Sequence, residues 1–246
     1  MDFAGQRVVV IGASAGIGEA TALAFAEAGA DVIITGRSKE RLDAAVQRIG
    51  RGVQARECDA AAEEAVRSLF ESVGKVDHLV LAASPGAVGS GPFATLAQDA
   101  LRQAFDGKFF AYVKVLQAAL PVLRADGSVT MISAISARTA YPGVTGLAAV
   151  NGAIEALVPP LAVELAPLRV NAVSPGVIDT PWWSGLPEDQ RAGFFAAAAA
   201  ASPVRRVGTP EDVAAAVLYL SGAGFVTGTV AEVAGGANLT VGAMAS

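Results

Sequence analysis

Short runs of β-branched and other apolar residues alternate along the chain with longer, alanine-rich stretches. The apolar runs predict strands near residues 7–12, 31–35, 52–57, 77–82, 127–133, 168–174 and 229–233. Several runs are apolar at consecutive positions, such as Val8 to Ile11, which is typical of parallel strands that helices cover on both faces. The stretches between them, including residues 196–201 and the segment that begins at Val213, favour helix. With no linker, repeat or break in composition, the alternation predicts one α/β domain over residues 1–246.

Two adjacent prolines conflict with this pattern. Pro159 and Pro160 fall inside a stretch, residues 147–165, that is otherwise helical. Each proline removes a backbone donor and crowds the preceding turn. We therefore expect a kinked or split helix at this point.

The lengths of the apolar runs argue against a membrane-spanning protein. Hydrophobic residues make up 53% of the chain and charged residues 17%. Small polar residues or charges interrupt every apolar run before it reaches the roughly 18–20 residues that cross a bilayer. The start of the chain, with Asp2 ahead of a short apolar run, lacks a secretory pattern. We expect a soluble, cytoplasmic protein.

The counts of charged and metal-binding residues argue against two further classes. Lys and Arg number 18 against 23 Asp and Glu, a net charge of −5 without a basic run, so nucleic acid is not an expected partner. The single cysteine, Cys58, excludes an internal disulfide, and the single histidine, His78, gives no zinc-ligand cluster. We expect no metal, and we expect His78 to be a surface or packing residue.

A glycine-rich segment, Gly12 to Gly18, directly follows the first strand and opens the next helix. Its sequence is Gly-Ala-Ser-Ala-Gly-Ile-Gly. Small residues let the backbone approach a pyrophosphate, and a helix N-terminus offers unpaired N–H groups to phosphates. A tight turn without a ligand is the plain alternative, but the position in the first strand–helix–strand unit favours a dinucleotide site.

The ends of the second and third strands carry one basic and one acidic residue. Arg37 stands where an NAD-selective site places an acid for the ribose 2′-hydroxyl, and its guanidinium suits a 2′-phosphate instead. This favours NADP(H), with a solvated turn residue as the alternative. Asp59 suits an acceptor for the adenine amino group, or equally an N-cap for a helix that starts near Ala61.

With three later segments, these features make the chain similar to the short-chain dehydrogenase/reductase family over nearly its whole length. The segments are SPGVIDTP at 174–181, RVGTPEDVAAAVLYL at 206–220 and VTGTVAEVAGG at 226–236. The resemblance implies a Rossmann-like, doubly wound sheet of seven parallel strands, a carbonyl or alcohol substrate, and a homo-oligomer, either a tetramer or a dimer. The predicted cofactor-binding residues are Gly12, Ser14, Ala15, Gly16, Ile17, Gly18, Arg37, Asp59, Ala83, Asn151, Pro175, Gly176, Ile178 and Thr180.

The catalytic positions of that family depart from its pattern in this chain. Members use an Asn, a Ser and a Tyr-x-x-x-Lys pair, in which Tyr passes the proton, Lys lowers the Tyr pKa and Ser polarises the carbonyl. Alignment puts Ala134 at the Ser position and Asp106 at the Asn position. Leu147 stands at the Tyr position and Asn151 at the Lys position. We therefore predict that the usual proton relay does not operate.

Four other side chains are candidates to replace that relay, each with a plain alternative. Ser136, two positions past Ala134, faces the same way in an extended segment, or it makes only a loop hydrogen bond. Tyr141 lies in the loop that borders the substrate pocket in the family, or it is a packing aromatic. Asp106 is a general acid if an apolar pocket raises its pKa, or a buried brace. Lys108, two residues from Asp106 and therefore on a different face of the helix, is expected to be a solvated charge.

Four aromatic residues fall in the segment that forms a substrate lid in the family. They are Trp182, Trp183, Phe194 and Phe195. Ordinary lid packing and an apolar substrate pocket both account for them.

Two hypotheses about function stay open. The first is an NADP(H)-dependent oxidoreductase with an altered proton relay, acting on an unidentified small molecule. The second is a catalytically inactive nucleotide-binding protein that acts as a sensor or as a partner in a mixed oligomer. A lyase or isomerase on the same scaffold is a third and weaker interpretation.

Overall fold

A sheet of seven parallel strands forms the centre of the computed structural model, which describes residues 1–239. The strands run in the order β3-β2-β1-β4-β5-β6-β7. Their bounds are β1 Arg7–Ile11, β2 Asp31–Gly36, β3 Gln54–Glu57, β4 Val76–Leu81, β5 Leu123–Ile132, β6 Arg169–Pro175 and β7 Val230–Val233. The helices are α1 Gly16–Glu27, α2 Lys39–Ile49, α3 Glu63–Val73, α4 Gln98–Ala104, α5 Ala111–Ala119, α6 Thr145–Glu164, α7 Glu188–Ala201 and α8 Pro210–Gly222. The predicted seven-stranded, doubly wound sheet is confirmed.

Helices cover both faces of the sheet, and β1 shows how. Val9 and Ile11 face one hydrophobic core, to which α3, α5 and α6 contribute. Val8 and Val10 face a second core, to which α1, α2 and α8 contribute. Because each face is covered, all four side chains are fully buried, and each contributes about 1.5–3 kcal/mol of hydrophobic stabilisation. Consecutive apolar residues in the strands therefore follow from the layering.

The strand β5 differs most from its predicted bounds, since it begins at Leu123 instead of residue 127. Val76 pairs with Leu123 and His78 with Ser128, so the register shifts between these two pairs. A Cβ atom on Gly127 would lie 2.2 Å from the carbonyl oxygen of Asp77. The irregularity therefore depends on a residue without a side chain.

The helix α6 runs without interruption through Pro159 and Pro160. The prediction of a split helix is therefore wrong. Both prolines are exposed, whereas Val158 and Ala162 are buried in the core beside them. Packing of Val158 and Ala162 on either side of the proline pair accounts for the continuity of the helix.

By length and composition alone, α6 also resembles a membrane span, with a mean hydropathy of 1.5 over its best window. Val150, Ile154 and Val158 on this helix are buried against the sheet. Its apolar character is therefore accounted for by the core of the domain.

His78 packs in the core near the amino-terminal ends of the strands. Its ring nitrogens lie 2.8 Å from Oγ of Ser128 and 2.6 Å from Oε1 of Gln6. Phe3 and Phe25 flank its ring. Burial lowers the pKa of His78 to about 4. Of the two expectations for this residue, packing is confirmed and surface exposure is wrong.

Candidate active site

The carboxyl ends of β1 and β4 meet where the strand order reverses direction. On one side of β1 lie β2 and then β3. On its other side lie β4, β5, β6 and β7, in that order. In open parallel sheets, ligands bind in the crevice at such a switch point. The glycine-rich segment begins here, directly after β1.

Two glycines of this segment fit only because they lack side chains. A Cβ atom on Gly12, whose φ is +83°, would lie 2.5 Å from Cα of Ala83, which follows β4. A Cβ atom on Gly18 would lie 2.3 Å from the carbonyl oxygen of Gly12. The segment is therefore folded tightly against the end of β4, with its backbone at the surface of the crevice.

The helix α1 begins in this segment with its first N–H groups uncapped by a side chain. Ala15 is the N-cap residue and makes no side-chain hydrogen bond. Glu19, in the first turn, pairs with Arg48 of α2 at 2.6 Å, and Arg48 also donates to the carbonyl oxygen of Ser14. Ile17 is partly buried beside them. Free N–H groups at a helix N-terminus beside a side-chain-free cradle fit the pyrophosphate of a dinucleotide.

The segment after β6 closes over the same point. A Cβ atom on Gly16 would lie 3.3 Å from Cβ of Thr180. Gly176 packs closely against Ala234, because a Cβ atom on Gly176 would lie 2.9 Å from Cα of Ala234. Pro175 and Ile178 are buried, and the carbonyl oxygen of Ile178 accepts a hydrogen bond from Nε1 of Trp183. Of the residues predicted here for cofactor binding, Gly16 and Thr180 lie together at the crevice.

Arg37 lies exposed at the end of β2. Within residues 1–239 it has neither an ion pair nor a side-chain hydrogen bond. A Cβ atom on the preceding Gly36 would lie 3.6 Å from Cβ of Ser14, so Ser14 and Arg37 flank one corner of the crevice. The guanidinium is therefore available to an anionic ligand there.

Asp59 is exposed at the end of β3 and accepts a hydrogen bond from the backbone N–H of Ala61 at 3.0 Å. The helix α3 begins at Glu63, with Ala62 as its N-cap residue. The interpretation of Asp59 as a helix N-cap is therefore wrong, because the chain makes a turn before the helix starts.

The residues predicted at the family's Ser and Tyr positions carry no polar side chain. Ala134 follows β5, and Leu147 lies in the first turn of α6, both partly buried. Asn151, at the Lys position, is buried with 4% of its surface exposed. Of Ala134, Leu147 and Asn151, only Asn151 therefore carries a polar side chain.

Lys108 meets Asn151, contrary to the expectation of a solvated charge. It belongs to a π-helical segment, Phe105–Phe110, that joins α4 to α5. Its Nζ donates to Oδ1 of Asn151 at 2.7 Å and to the carbonyl oxygen of Ser133 at 3.3 Å. An ammonium group therefore contacts Asn151, the residue predicted at the family's Lys position, but it comes from the segment before α5 and not from α6.

The environment of this ammonium is poor in solvent. Desolvation lowers the pKa of Lys108 to about 7, and the negative charge of Glu155 on α6 opposes this shift. Glu155 is itself engaged by Arg138 at 2.7 Å and by the hydroxyl of Ser133 at 2.8 Å. Lys108 therefore changes its charge near neutral pH.

Ser136 is connected to Lys108 through Asn151. Nδ2 of Asn151 donates to Oγ of Ser136 at 3.1 Å and to the carbonyl oxygen of Leu147 at 2.9 Å. Ser136 lies partly buried in a short 3₁₀ turn, Ile135–Ala137, after β5. The hydrogen bond expected of Ser136 is present, with Asn151 as its partner. The extended segment assumed for Ser136 is wrong, because the chain turns directly after Ala134.

Tyr141 and Asp106 are not brought into this group. Among the described residues, Tyr141 makes no hydrogen bond with Ser136, Asn151 or Lys108. Asp106 is exposed and lines an outer groove with Phe93 and Phe110. The interpretation of Asp106 as a buried brace is wrong, and the apolar burial required for a general acid is not found at its position.

Tyr112 is a residue of the site region that the sequence did not single out. It is buried, and its hydroxyl oxygen lies 3.1 Å from the carbonyl oxygen of Ala83 and 3.2 Å from that of Ile132. Burial raises its pKa, so the hydroxyl stays protonated. The Tyr112 hydroxyl therefore bridges the carboxyl ends of β4 and β5.

The four aromatic rings of the lid segment contact one another. The ring of Trp183 lies 4.5 Å from that of Trp182 and 4.7 Å from that of Phe194, measured between centroids. Phe195 lies 6.0 Å away. These contacts agree with the packing interpretation, and Trp182 keeps 37% of its surface exposed.

Comparison with known proteins agrees with this geometry. A family model described as enoyl-(acyl carrier protein) reductase matches residues 12–238. The chain is 34% identical over 250 residues to an L-fucose dehydrogenase of Bos taurus, covering 98% of this chain and 92% of that protein. It is 30% identical to a 3-oxoacyl-[acyl-carrier-protein] reductase of Thermotoga maritima, covering 96% of this chain and 99% of the relative.

Solved structures agree as well. A short-chain dehydrogenase/reductase family protein superposes with a TM-score of 0.87 at 31% identity, covering 97% of this chain and 100% of that one. A small-chain dehydrogenase solved in complex with NADPH has a TM-score of 0.82 at 30% identity, covering 95% and 99% of the two chains. The chain therefore belongs to the short-chain dehydrogenase/reductase family, whose members are oxidoreductases with a nicotinamide cofactor.

Proposed function

We propose that this protein is an NADP(H)-dependent oxidoreductase that interconverts a small-molecule carbonyl compound and its alcohol. The observation that carries the proposal is the cradle formed by Gly12 against Ala83, with the uncapped N-terminus of α1 beside it. This arrangement fits the diphosphate of a dinucleotide. When bound, the cofactor supplies or accepts the hydride.

Three features of the chain complete the proposed cofactor site. The segment after β6 brings Thr180 against Gly16, where it would cover the cofactor and exclude water. Arg37 would hold the 2′-phosphate by charge-assisted hydrogen bonds, with Ser14 beside it. Asp59 would accept from the adenine amino group, since the carboxylate is exposed. The preference for NADP(H) rests on Arg37 and on the absence of an acid at Gly36.

Calorimetric titration of NADPH and NADH tests the cofactor assignment. We expect the wild type to prefer NADPH, and Arg37→Glu to weaken NADPH binding by at least about tenfold while sparing NADH. Lys75→Glu is the matched control, because it reverses the same charge just before β4, at the amino-terminal ends of the strands and away from the crevice. Equal affinity of the wild type for both nucleotides contradicts the NADP(H) preference, and binding of neither contradicts the proposed function.

Turnover distinguishes this proposal from the non-catalytic alternative. A screen of carbonyl compounds, enones and imines should find steady NADPH consumption that depends on one class of substrate. Tight NADPH binding with no turnover across the screen would favour a nucleotide-binding protein without catalysis. Such a protein would retain the fold because the cradle and the core are intact.

We further propose that the protein is cytoplasmic and forms a homo-oligomer, a dimer or a tetramer. Exposed apolar side chains support association: Phe110 on the segment before α5 is 52% exposed and Val163 on α6 is 81% exposed. Large apolar side chains that are exposed on one subunit are often buried in interfaces between subunits. Sedimentation analysis would measure the state, and a monomer at micromolar concentration would contradict it.

A further inference from the structure

The side-chain amide of Asn151 has one orientation, because its neighbours fix it chemically. Lys108 has only donors, so it requires the amide oxygen, and the carbonyl oxygen of Leu147 has only acceptor capacity, so it requires the amide nitrogen. Nδ2 is thereby directed at Ser136 Oγ as a donor. The assignment of the two amide atoms therefore follows from the partners alone.

The three side chains form a chain in which every hydrogen bond points the same way. Lys108 donates to Asn151, and Asn151 donates to Ser136. Among the described residues, the hydroxyl proton of Ser136 has no acceptor, so it remains to be donated at the crevice. Hydrogen bonds in series polarise one another, and a cation at the head of the series strengthens the last donor.

The position of this last donor matches the side of the sheet at which the cofactor is expected. Ser136 follows β5, and the glycine-rich segment follows β1, so both lie at the carboxyl edge. Ala134, two residues earlier, cannot donate to a substrate oxygen. Ser136 therefore carries a hydroxyl group two residues after Ala134, the residue predicted at the family's Ser position.

We propose that Ser136 binds the substrate's carbonyl oxygen, and that Lys108 polarises Ser136 through Asn151, an assignment that rests on the proposed function. During reduction, the hydride adds to the carbonyl carbon, and the π-electron pair of the C=O bond moves to the oxygen. The Ser136 hydroxyl donates a hydrogen bond to this developing alkoxide. The alkoxide then takes a proton from water, which leaves as hydroxide into the buffered solvent.

Ser136 is the catalytic residue in this scheme, and Lys108 and Asn151 are positioning residues. Lys108 acts only while it carries its charge, so reduction slows as the pH rises through its titration near neutrality. Glu155 is the charged group that faces Lys108 from α6, and its ion pair with Arg138 keeps it from neutralising the ammonium directly. A pH profile therefore reports on the ammonium in a way that a purely structural contact would not.

The test compares single-turnover reduction of phenanthrenequinone, an activated dicarbonyl, by NADPH-loaded protein between pH 5.5 and 9. Ser136→Ala should slow the reaction by roughly 10²–10³. Lys108→Met should slow it by at least about tenfold at pH 6 and flatten its pH dependence. Lys114→Met, on α5, should retain both the wild-type rate and the wild-type profile. NADPH affinity, measured by calorimetry, should stay within about threefold in all variants and shows that each has folded.

The outcomes separate this inference from the proposed function. If the wild type reduces the quinone but Lys108→Met and Ser136→Ala behave like Lys114→Met, the inference is overturned and the oxidoreductase assignment stands. If Ser136→Ala slows the reaction but Lys108→Met keeps the wild-type pH profile, the role of the ammonium is overturned. A wild type that binds NADPH and reduces nothing overturns both.

Discussion

Gly16 and Thr180 lie side by side at the mouth of the crevice, where a Cβ atom on Gly16 would stand 3.3 Å from Cβ of Thr180. The first residue opens α1 after β1, and the second follows β6. Parallel strands bring both segments to one edge of the sheet, although most of the chain separates them. The proposed cofactor site is therefore a product of topology as well as of local motifs.

Gly12→Ala tests how tightly the cradle is built. The new Cβ atom would lie 2.5 Å from Cα of Ala83, at a φ of +83°. We expect a loss of about 2–4 kcal/mol in the free energy of unfolding, measured with urea, together with weaker NADPH binding. Gly5→Ala is the control, because φ is +75° but nothing lies within 4 Å of its Cβ position. Equal losses in both variants would show that backbone strain alone accounts for the effect.

The charge of Lys108 makes stability depend on pH in the alkaline direction. The unfolded chain keeps this proton up to a pKa near 10.5, whereas the folded chain releases it at about 7. Between these values the unfolded state binds more protons, so the free energy of unfolding rises with pH, with a slope approaching about 1.4 kcal/mol per pH unit.

Urea denaturation of the wild type and Lys108→Met at several pH values measures this contribution as a difference. We expect Lys108→Met to be the more stable near pH 6, with the advantage shrinking as the pH rises toward 10. Lys114→Met should keep the slope of the wild type. A Lys108→Met curve parallel to the wild-type curve would mean that the folded protein does not perturb this ammonium.

Trp183 is expected to anchor the segment of residues 181–201 to the chain after β6. Its Nε1 donates to the carbonyl oxygen of Ile178 at 2.9 Å, and its ring contacts Trp182 and Phe194. Trp183→Ala should raise hydrogen exchange in α7 by at least about tenfold while leaving the sheet protected, because loss of these contacts allows the helix to unfold locally. Trp182→Ala, at the half-exposed partner, should have a smaller effect. The same exchange rates in both variants would argue against Trp183 as the anchor.

Restoring the Ser, Tyr and Lys of the family's pattern should fail unless Lys108 changes as well. Ala134→Ser, Leu147→Tyr and Asn151→Lys together would place a second ammonium against Lys108, whose Nζ now lies 2.7 Å from Asn151. Like charges in a desolvated site repel, so this triple variant should lose at least about 2 kcal/mol of stability.

Adding Lys108→Asn to the triple variant should recover most of that loss and permit general reductase activity. Adding Lys114→Asn instead should recover nothing. Urea denaturation and NADPH consumption with the same quinone measure the two effects. A triple variant as stable as the wild type would show that the two ammonium groups avoid each other.

The elements of the fold were predictable because their signals are local. Residues such as Val8 to Ile11 are apolar in succession because both faces of the sheet are covered, and that pattern is visible along the chain. The proline pair in α6 was misleading, because burial of Val158 and Ala162 outweighs the local preference for a break. The early start of β5 depends on the close approach of Gly127 to Asp77, which no local pattern signals.

The sequence by itself determined the parallel α/β architecture and the glycine-rich segment that opens α1, and it supplied the predictions that rest on Arg37, Ala134 and Leu147. Only the tertiary structure decided that Lys108 points inward to Asn151 and that Asp106 points outward. The two residues are close neighbours in a π-helical segment, and composition does not reveal which of two adjacent faces is buried. That choice depends on packing between α6 and the segment before α5, which brings together residues far apart along the chain.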